Sequence, residues 1–325
     1  MPFSCQNPFD DALADLRVSG SVLLHESYRP PWAITIPSEA ELRPLLGLGP
    51  ETRVLPFHLV REGEFTLKQG SGPPERITAD EVVICTQGDE HLMSAGRAMK
   101  PTPFARLYAV ERPAMSAQVE RAGRGMDTKL LCGVFLLNSA PLNPLLASLP
   151  PLLKIRTASV PESPTLMRAV EMLAFEVDRG ARGSFTTARL IEVFCAEAIA
   201  AYRRGEGAGR PGWFKALDDQ KIGKALAQLH TDPGAAWTVE LLADTVAMSP
   251  SRFAARFRET TGQSVMSYVA SWRMNVACRL LRDTEGGLVE ISQLVGYGDV
   301  AAFSRAFKAL VGQSPSKWRG VHRAV

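Results

Sequence analysis

Ser304, Arg305 and Lys308 fall mostly outside the apolar stripe that Ala302, Phe303, Ala306, Phe307 and Leu310 make at helical spacing. A hydroxyl and two cations on the free face of a short helix can hydrogen-bond base edges and neutralise phosphates. The helix has a written start and stop. Asp299 stands where an N-cap accepts a bond from a free backbone N–H, Gly312 ends the stripe, and Pro315 bars its continuation. Upstream, Ile291, Leu294 and Val295 form another stripe, and Gly296 and Gly298 then break the period. Two short helices at a steep angle, the second basic on its free face, make a helix-turn-helix suited to a DNA major groove.

Other chemistries have little support. There is no glycine-rich phosphate loop of the Walker type and no Ser/His/Asp motif, so neither nucleotide hydrolysis nor nucleophilic catalysis is expected. The chain is read as a non-enzyme without a cofactor. Cys5, Cys85, Cys132, Cys195 and Cys278 are odd in number and scattered, with no CxxC, so they read as buried thiols and not as a disulfide framework or zinc site.

With 325 residues, two domains are expected, each long enough to bury its own core. The net charge of +3 is unevenly spread: residues 203–325 hold 17 Lys+Arg against 11 Asp+Glu, an excess of +6, while the rest carries −3. The basic excess thus lies with the helix-turn-helix, as phosphate binding requires. No run of about 18 apolar residues exists, and the N-terminus lacks a basic region followed by an apolar core. A cytoplasmic protein with no membrane partner is the expectation.

Position must come from an α+β multidomain chain. From Gly20 to Val110, short runs of Val, Leu, Ile, Phe and Thr alternate with Gly, Pro and Asp, predicting an antiparallel sandwich or barrel with turns at Glu62-Gly63 and Gln69–Gly72. A loop is expected over 111–128, then a buried strand over Lys129–Leu137. Leu166, Val170, Leu173 and Val177 make one helical stripe, and Leu190, Val193, Phe194 and Ala201 belong to a second helix. Arg203–Trp213, with four glycines and a proline, reads as a linker. Beyond it, helices are expected at Gln220–His230, after Thr238, after Ser249 with Pro250 in its first turn, and from Ser264 to Leu281. The last spans about 27 Å at 1.5 Å per residue, which would set two recognition helices about 34 Å apart, one turn of duplex DNA.

The run VGYGDVAAFSRAFK followed by GQSP resembles the second helix-turn-helix of the AraC/XylS family of bacterial transcription regulators, and MSPSRFAARFRETTG is similar to the first. The resemblance implies double-stranded DNA as partner, read by Ser251, Arg252, Ala254 and Ala255, with Arg258 toward phosphate, and by Val300, Ala301, Ser304 and Arg305. The alanines depart from the polar residues of many relatives, so readout there would be by contact with thymine methyls or by close approach. Arg256, Tyr297, Trp272 and Trp318 are expected to be structural.

The segments FHLVREGE (57–64), TADEVVICTQGDEH (78–91) and CGVF (132–135), followed by PLLASLPPLLKIR (144–156), resemble the cupin barrel that serves many such regulators as a sensor. That implies a small-molecule effector, a helical segment used for homodimerisation, and RNA polymerase as a partner if the protein activates. Metal-binding cupins use an HxH pair, a carboxylate and a distant histidine. Here His58 has Val60 at the HxH offset, Glu62 is a carboxylate at the wrong spacing, and His91 follows Gly88 by three residues, as the second cupin motif wants. His58, Glu62 and His91 are therefore effector-binding candidates, with metal not expected for want of a ligand. Cys132 is the candidate redox thiol, against the plainer reading of a small core residue.

The expected layout is a cupin-like domain over 1–160, a dimerisation segment over 161–202, a linker over 203–213 and an all-α double helix-turn-helix over 214–325. Two other readings stay open: a cupin oxygenase or isomerase with a fused DNA-binding tail, and a constitutive DNA-binding dimer without ligand.

Overall fold

The computed structural model describes residues 7–109, 126–138, 141–157, 164–181, 183–205, 207, 210 and 212–322. Cys5, most of the 111–128 segment and four linker positions lie outside them. The chain divides into two compact units. One comprises residues 18–138 and 149–205, and the other comprises 1–17, 139–148 and 206–325. A linear cut at the linker was expected, but the C-terminal helices share their unit with two short upstream segments.

The sheet-rich unit contains β1 (Val18–Tyr28), β2 (Trp32–Ile36), β3 (Arg53–Glu62), β4 (Glu64–Gln69), β5 (Glu75–Thr78), β6 (Glu81–Cys85), β7 (His91–Ala95), β8 (Thr102–Pro103), β9 (Thr128–Leu137) and β10 (Leu152–Arg156). They form two five-stranded sheets, ordered β1-β9-β3-β6-β10 and β5-β4-β7-β2-β8. Among the described residues no strand ladder joins the two sheets, so the architecture is cupin-like without a closed barrel. Both expected hairpin turns are present. Gly63, at φ +75°, reverses β3 into β4, and the chain turns again between Gln69 and Glu75.

The central strands β3 and β9 bury both faces, which is why KLLCGVFLL reads as a continuous apolar run and not as an alternation. On one face Val54, Val60, Cys132 and Val134 meet Trp32, Phe65 and Met93 of the second sheet. On the other, Phe57 stacks on Phe135 at 4.6 Å and takes Phe194 edge-on at 5.2 Å. Gly133 makes that packing fit: a Cβ there would stand 2.6 Å from the Phe57 ring and 2.4 Å from the Ser21 carbonyl oxygen.

Among the described residues, the sheet-rich unit carries two helices before β9, α2 (Glu39–Leu45) and α3 (Phe104–Ala109). The next helix, α4 (Pro144–Ala147), belongs to the other unit, and α5 (Pro164–Asp178) and α6 (Phe185–Arg204) then form an antiparallel hairpin that covers the first sheet with Phe194. Of the stripe Leu166, Val170, Leu173 and Val177, which the family resemblance offered for dimerisation, Leu166, Leu173 and Val177 are buried within the unit and Val170 is half-buried. The exposed apolar residues of the hairpin are Met167, Met172, Phe175 (66%), Phe185 (76%) and Val193. Sequence periodicity finds an apolar stripe but not which of two faces it meets.

The helical unit holds α1 (Pro8–Ala14), α4, α7 (Trp213–Asp218), α8 (Gln220–Thr231), α9 (Val239–Thr245), α10 (Pro250–Thr261), α11 (Val265–Asp283), α12 (Leu288–Leu294), α13 (Val300–Val311) and α14 (Pro315–His322). The N-terminal helix is tied in by polar bonds. Asn275 donates to Asp15 at 2.9 Å, Asn143 donates to the Ala12 carbonyl at 2.9 Å, and Arg17 pairs with Asp283 at 2.8 Å.

The helices α9–α11 and α12–α14 repeat with an offset of 50 residues. Phe253 and Phe257 of α10 correspond to Phe303 and Phe307 of α13, all fully buried. Gly262 and Gly312 end the two helices in the left-handed conformation, at φ +79° and +86°. Phe257 meets Tyr268 edge-on at 5.6 Å, and Phe307 meets Trp318 likewise at 6.3 Å. Only the second copy has the full N-cap. Asp299 accepts from the Ala301 and Ala302 amides, which hold its carboxylate below the usual range, whereas Ser249 occupies the cap position of α10 without a side-chain bond.

An aromatic column centres the first copy. His230 stacks on Trp272 at 3.6 Å, and its Nε2 lies 2.8 Å from the Tyr268 hydroxyl, which also accepts from Trp213 Nε1 at 2.8 Å. The His230 ring tautomer sets which of the two groups donates in that bond. Burial, with Arg279 adding to it, pushes the histidine down to about 3. The unfolded chain takes up this proton near pH 6.5, so the stability contribution is complete above that pH and is lost as pH falls toward 3. The loss is about 1.4 kcal/mol per pH unit. Urea unfolding followed by tryptophan fluorescence should show at least that slope between pH 6.5 and 5. His230→Gln, whose amide can form the same bond without gaining a proton, should reduce the slope by about 1.4 kcal/mol per pH unit; an unchanged slope in the variant would contradict the assignment.

Candidate nucleic-acid interface and sensor site

The burial pattern of α10 and α13 separates structural from free residues. Their phenylalanines point inward, while Ser251, Arg252, Ala255, Arg258, Ala301 and Arg305 are exposed and Ala254, Val300 and Ser304 are half-buried on the same helices. Among the described residues, the side chains of Arg252, Arg258 and Arg305 form no hydrogen bond or salt bridge.

Other arginines of the unit are engaged. Arg256 binds Asp219 at 2.7 Å, and Asp219 caps α8 through the Lys221 and Ile222 amides. Arg273 donates to the Pro233 and Ala235 carbonyls, and Arg319 to that of Gly286. The expected structural role of Arg256 therefore has a named partner, and Trp272 and Trp318 are buried as expected. Tyr297 is half-buried, packed edge-on against Phe303 at 5.8 Å with the Arg273 guanidinium over its ring at 5.9 Å.

The turn into α13 requires glycine. Gly296 sits at φ +79°, and a Cβ would stand 2.7 Å from the Arg273 guanidinium and 2.8 Å from the Gly234 carbonyl oxygen. The 50-residue repeat also places Lys308, a free-face cation in the sequence but not among the residues the family resemblance carried over: exposed on α13, it holds the place that Arg258 holds on α10.

In the sheet-rich unit the histidines converge and the carboxylate does not. His58 on β3 faces the second sheet, and its Nε2 lies 2.8 Å from Nε2 of His91 at the start of β7. Both rings are buried. Glu62 is 57% exposed at the end of β3 and pairs with Lys129 at 2.7 Å, apart from the histidines. Val60 lies in the core. Burial is the main force holding both imidazoles neutral, pushing His91 down to about 4 and His58 well below its ordinary value.

The third member of the cluster is Cys85, whose Sγ lies 3.8 Å from His91 Nε2. The three donor atoms stand within 4.8 Å of one another. A search for CxxC passes over it, because Cys85 meets His91 through the turn between β6 and β7, where Gly88 takes φ +66°. Cysteine and histidine six apart across a glycine turn was the available signal.

Cys132 also faces the inter-sheet core, paired in register with His58, and burial raises its thiol well above the ordinary range. Beside His58 lies a cavity of about 10 Å³, lined by Leu42, Phe104 and Cys132 among others, with room for roughly one water.

A Cupin family model matches residues 7–202, and a Helix-turn-helix domain model matches residues 242–320. A protein of Streptomyces lividans named as an AraC-like transcription regulator is 31% identical over 82% of this chain and 87% of its own length. A similarly named protein of Streptomyces antibioticus is 30% identical over the same shares. The HTH-type transcriptional regulator AlkR of Acinetobacter baylyi is 26% identical over 80% of this chain and 85% of its own. No helix among the described residues is long and apolar enough to cross a membrane.

Proposed function

The chain belongs to the AraC-type DNA-binding transcription regulators with an N-terminal cupin domain, and from that premise we propose how it reads DNA and what governs the reading. The helices α10 and α13 enter successive major grooves on one face of the duplex. Ser251, Arg252, Ala254 and Ala255 face bases in the first, Val300, Ala301, Ser304 and Arg305 face bases in the second, and Arg258 lies toward phosphate. The observation that carries this reading is that the side chains of Arg252, Arg258 and Arg305 are unbonded among the described residues, while those of Arg256, Arg273 and Arg319 are all bonded. The 19-residue α11 between the two copies is about 28 Å long at 1.5 Å per residue, a spacer on the scale of one duplex turn.

The cupin unit, over residues 18–138 and 149–205, acts as the sensor, and its effector binds beside His58 and His91. A cavity of about 10 Å³ holds no organic molecule, so effector entry requires Leu42 and Phe104 to move aside. Two copies associate through the exposed Met172, Phe175 and Phe185 of the α5–α6 hairpin, which pairs operator elements with protomers. Regulation takes place in the cytoplasm, with RNA polymerase as a further partner where the protein activates.

The test is selection of bound duplexes from genomic fragments by the purified full chain at a fixed salt concentration. The expected product is a site with two sequence elements about 10–10.5 base pairs apart, centre to centre. Binding without sequence preference, set by salt alone, would contradict the reading and bring forward the alternative of a metal-dependent cupin enzyme with a DNA-binding tail.

A further inference from the structure

We propose that His58, Cys85 and His91 form a binding site for a single divalent ion of the zinc class, built between the two sheets of the cupin unit. The inference does not depend on the DNA-reading proposal. Its basis is the convergence of two imidazole Nε2 atoms and one thiol, all buried, within 4.8 Å of one another. The set differs from the HxH-plus-carboxylate arrangement: Val60 and Glu62 take no part, and a thiolate from the end of β6 supplies the third ligand.

The distances suit a small ion after a modest adjustment. Zinc bonds of about 2.0–2.1 Å to nitrogen and 2.3 Å to sulfur, at tetrahedral angles, put nitrogen atoms about 3.3 Å apart and sulfur about 3.6 Å from nitrogen. Cys85 Sγ and His91 Nε2 stand at 3.8 Å, close to that spacing. The two Nε2 atoms are nearer, at a hydrogen-bond distance of 2.8 Å. Opening this pair by about half an ångström admits the ion.

The hydrogen bonds around the cluster prepare one ligand fully. His91 Nδ1 lies 3.0 Å from the Asp89 carbonyl oxygen, so it carries the ring proton and leaves the Nε2 lone pair directed into the cluster. His58 then donates through Nε2 to His91, and its Nδ1 has no hydrogen-bond partner among the described residues. Ion binding moves the His58 proton from Nε2 to Nδ1 and breaks the imidazole–imidazole bond. It also removes the Cys85 thiol proton: the divalent ion, one Cys–SH and two neutral imidazoles give a thiolate complex of charge +1 and one released H⁺. No electron is transferred. Thiolate with imidazole favours zinc over magnesium or calcium. Three protein ligands leave a fourth position for solvent or an anionic group.

The test uses the reduced full chain, stripped with a chelator, then dialysed against Zn²⁺ for elemental analysis or titrated with Co²⁺ for spectroscopy. One ion per chain is expected. The cobalt form should show a thiolate-to-metal charge-transfer band and the strong visible bands of a four-coordinate ion. Cys85→Ser should abolish the charge-transfer band, and both it and His91→Gln should weaken binding by more than about tenfold; Cys132→Ser should keep the band. The wild-type spectrum answers by itself if a variant fails to fold. A folded wild-type chain without stoichiometric ion, a cobalt form without the charge-transfer band, or a band lost with Cys132 and kept without Cys85 would each overturn the assignment.

Discussion

Arg305→Ala should lower specific DNA affinity by about 1–3 kcal/mol, roughly five- to more than a hundredfold, and leave the fold intact. Both halves of that expectation follow from placement. Arg305 is exposed on α13 and its side chain makes no hydrogen bond or salt bridge among the described residues, so truncation removes only its electrostatic attraction to the N-cap carboxylate of Asp299. Alanine also favours the helix at least as well. What is lost is a planar, charged donor array that can bind guanine or phosphate. Arg252→Ala should act in the same way on the first element, and the losses should add approximately, since the two helices address separate grooves. The matched control is Arg256→Ala. That arginine is equally a cation on α10, but it holds Asp219 at the start of α8, so its loss should appear in unfolding curves and little in base preference. Binding isotherms on matched and single-mismatch duplexes read the difference. Unchanged affinity and unchanged base preference for Arg305→Ala would remove α13 from the DNA.

The second large effect is on stability. Phe307→Ala should cost about 3–5 kcal/mol, the usual range for emptying a buried phenylalanine site. Phe307 is fully buried between Phe303 at 5.8 Å and Trp318 at 6.3 Å. A helix of 12 residues is marginal alone in water, so α13 persists because its phenylalanine face is packed. Emptying that face should loosen the second copy before the first, whose equivalent residues Phe253 and Phe257 have their own partner in Tyr268. Urea unfolding should therefore show an earlier transition, and footprinting should retain the first DNA element while losing the second. Simultaneous loss of both elements would show that the two copies are one cooperative block.

The helical unit was legible in the sequence for physical reasons. Its helices are short, each has a period-3.6 stripe, and their ends are written in single residues such as Asp299, Gly262 and Gly312. The sheet-rich unit was legible as strands and turns, but its closure was not. Local pattern fixes which residues alternate, while whether two sheets join depends on ladders between distant segments, and here none joins them among the described residues. The same limit explains the hairpin. Leu166, Leu173 and Val177 announce an apolar face, yet nothing in the stripe says that it is covered from within, with Phe175 and Phe185 left outside. At the sensor site, His58 and His91 were found by motif, and Glu62 was added because it carries a carboxylate. In the structure β3 ends there, and Glu62 pairs with Lys129 at the surface. Cys85 was missed because its partnership with His91 is made by a turn and the register of two sheets, not by spacing along one element.

The central claim is that one chain reads two grooves on one face of the duplex. It is tested most directly by inserting base pairs between the two elements of a selected site and measuring affinity of the full chain. Five added pairs rotate the second element by about half a turn and move it about 17 Å along the axis. The expected result is a loss of affinity comparable to destroying that element outright, with the first element still protected. Undiminished affinity for the five-pair insertion would contradict the account, because α13 would then contribute nothing from a fixed place beside α10.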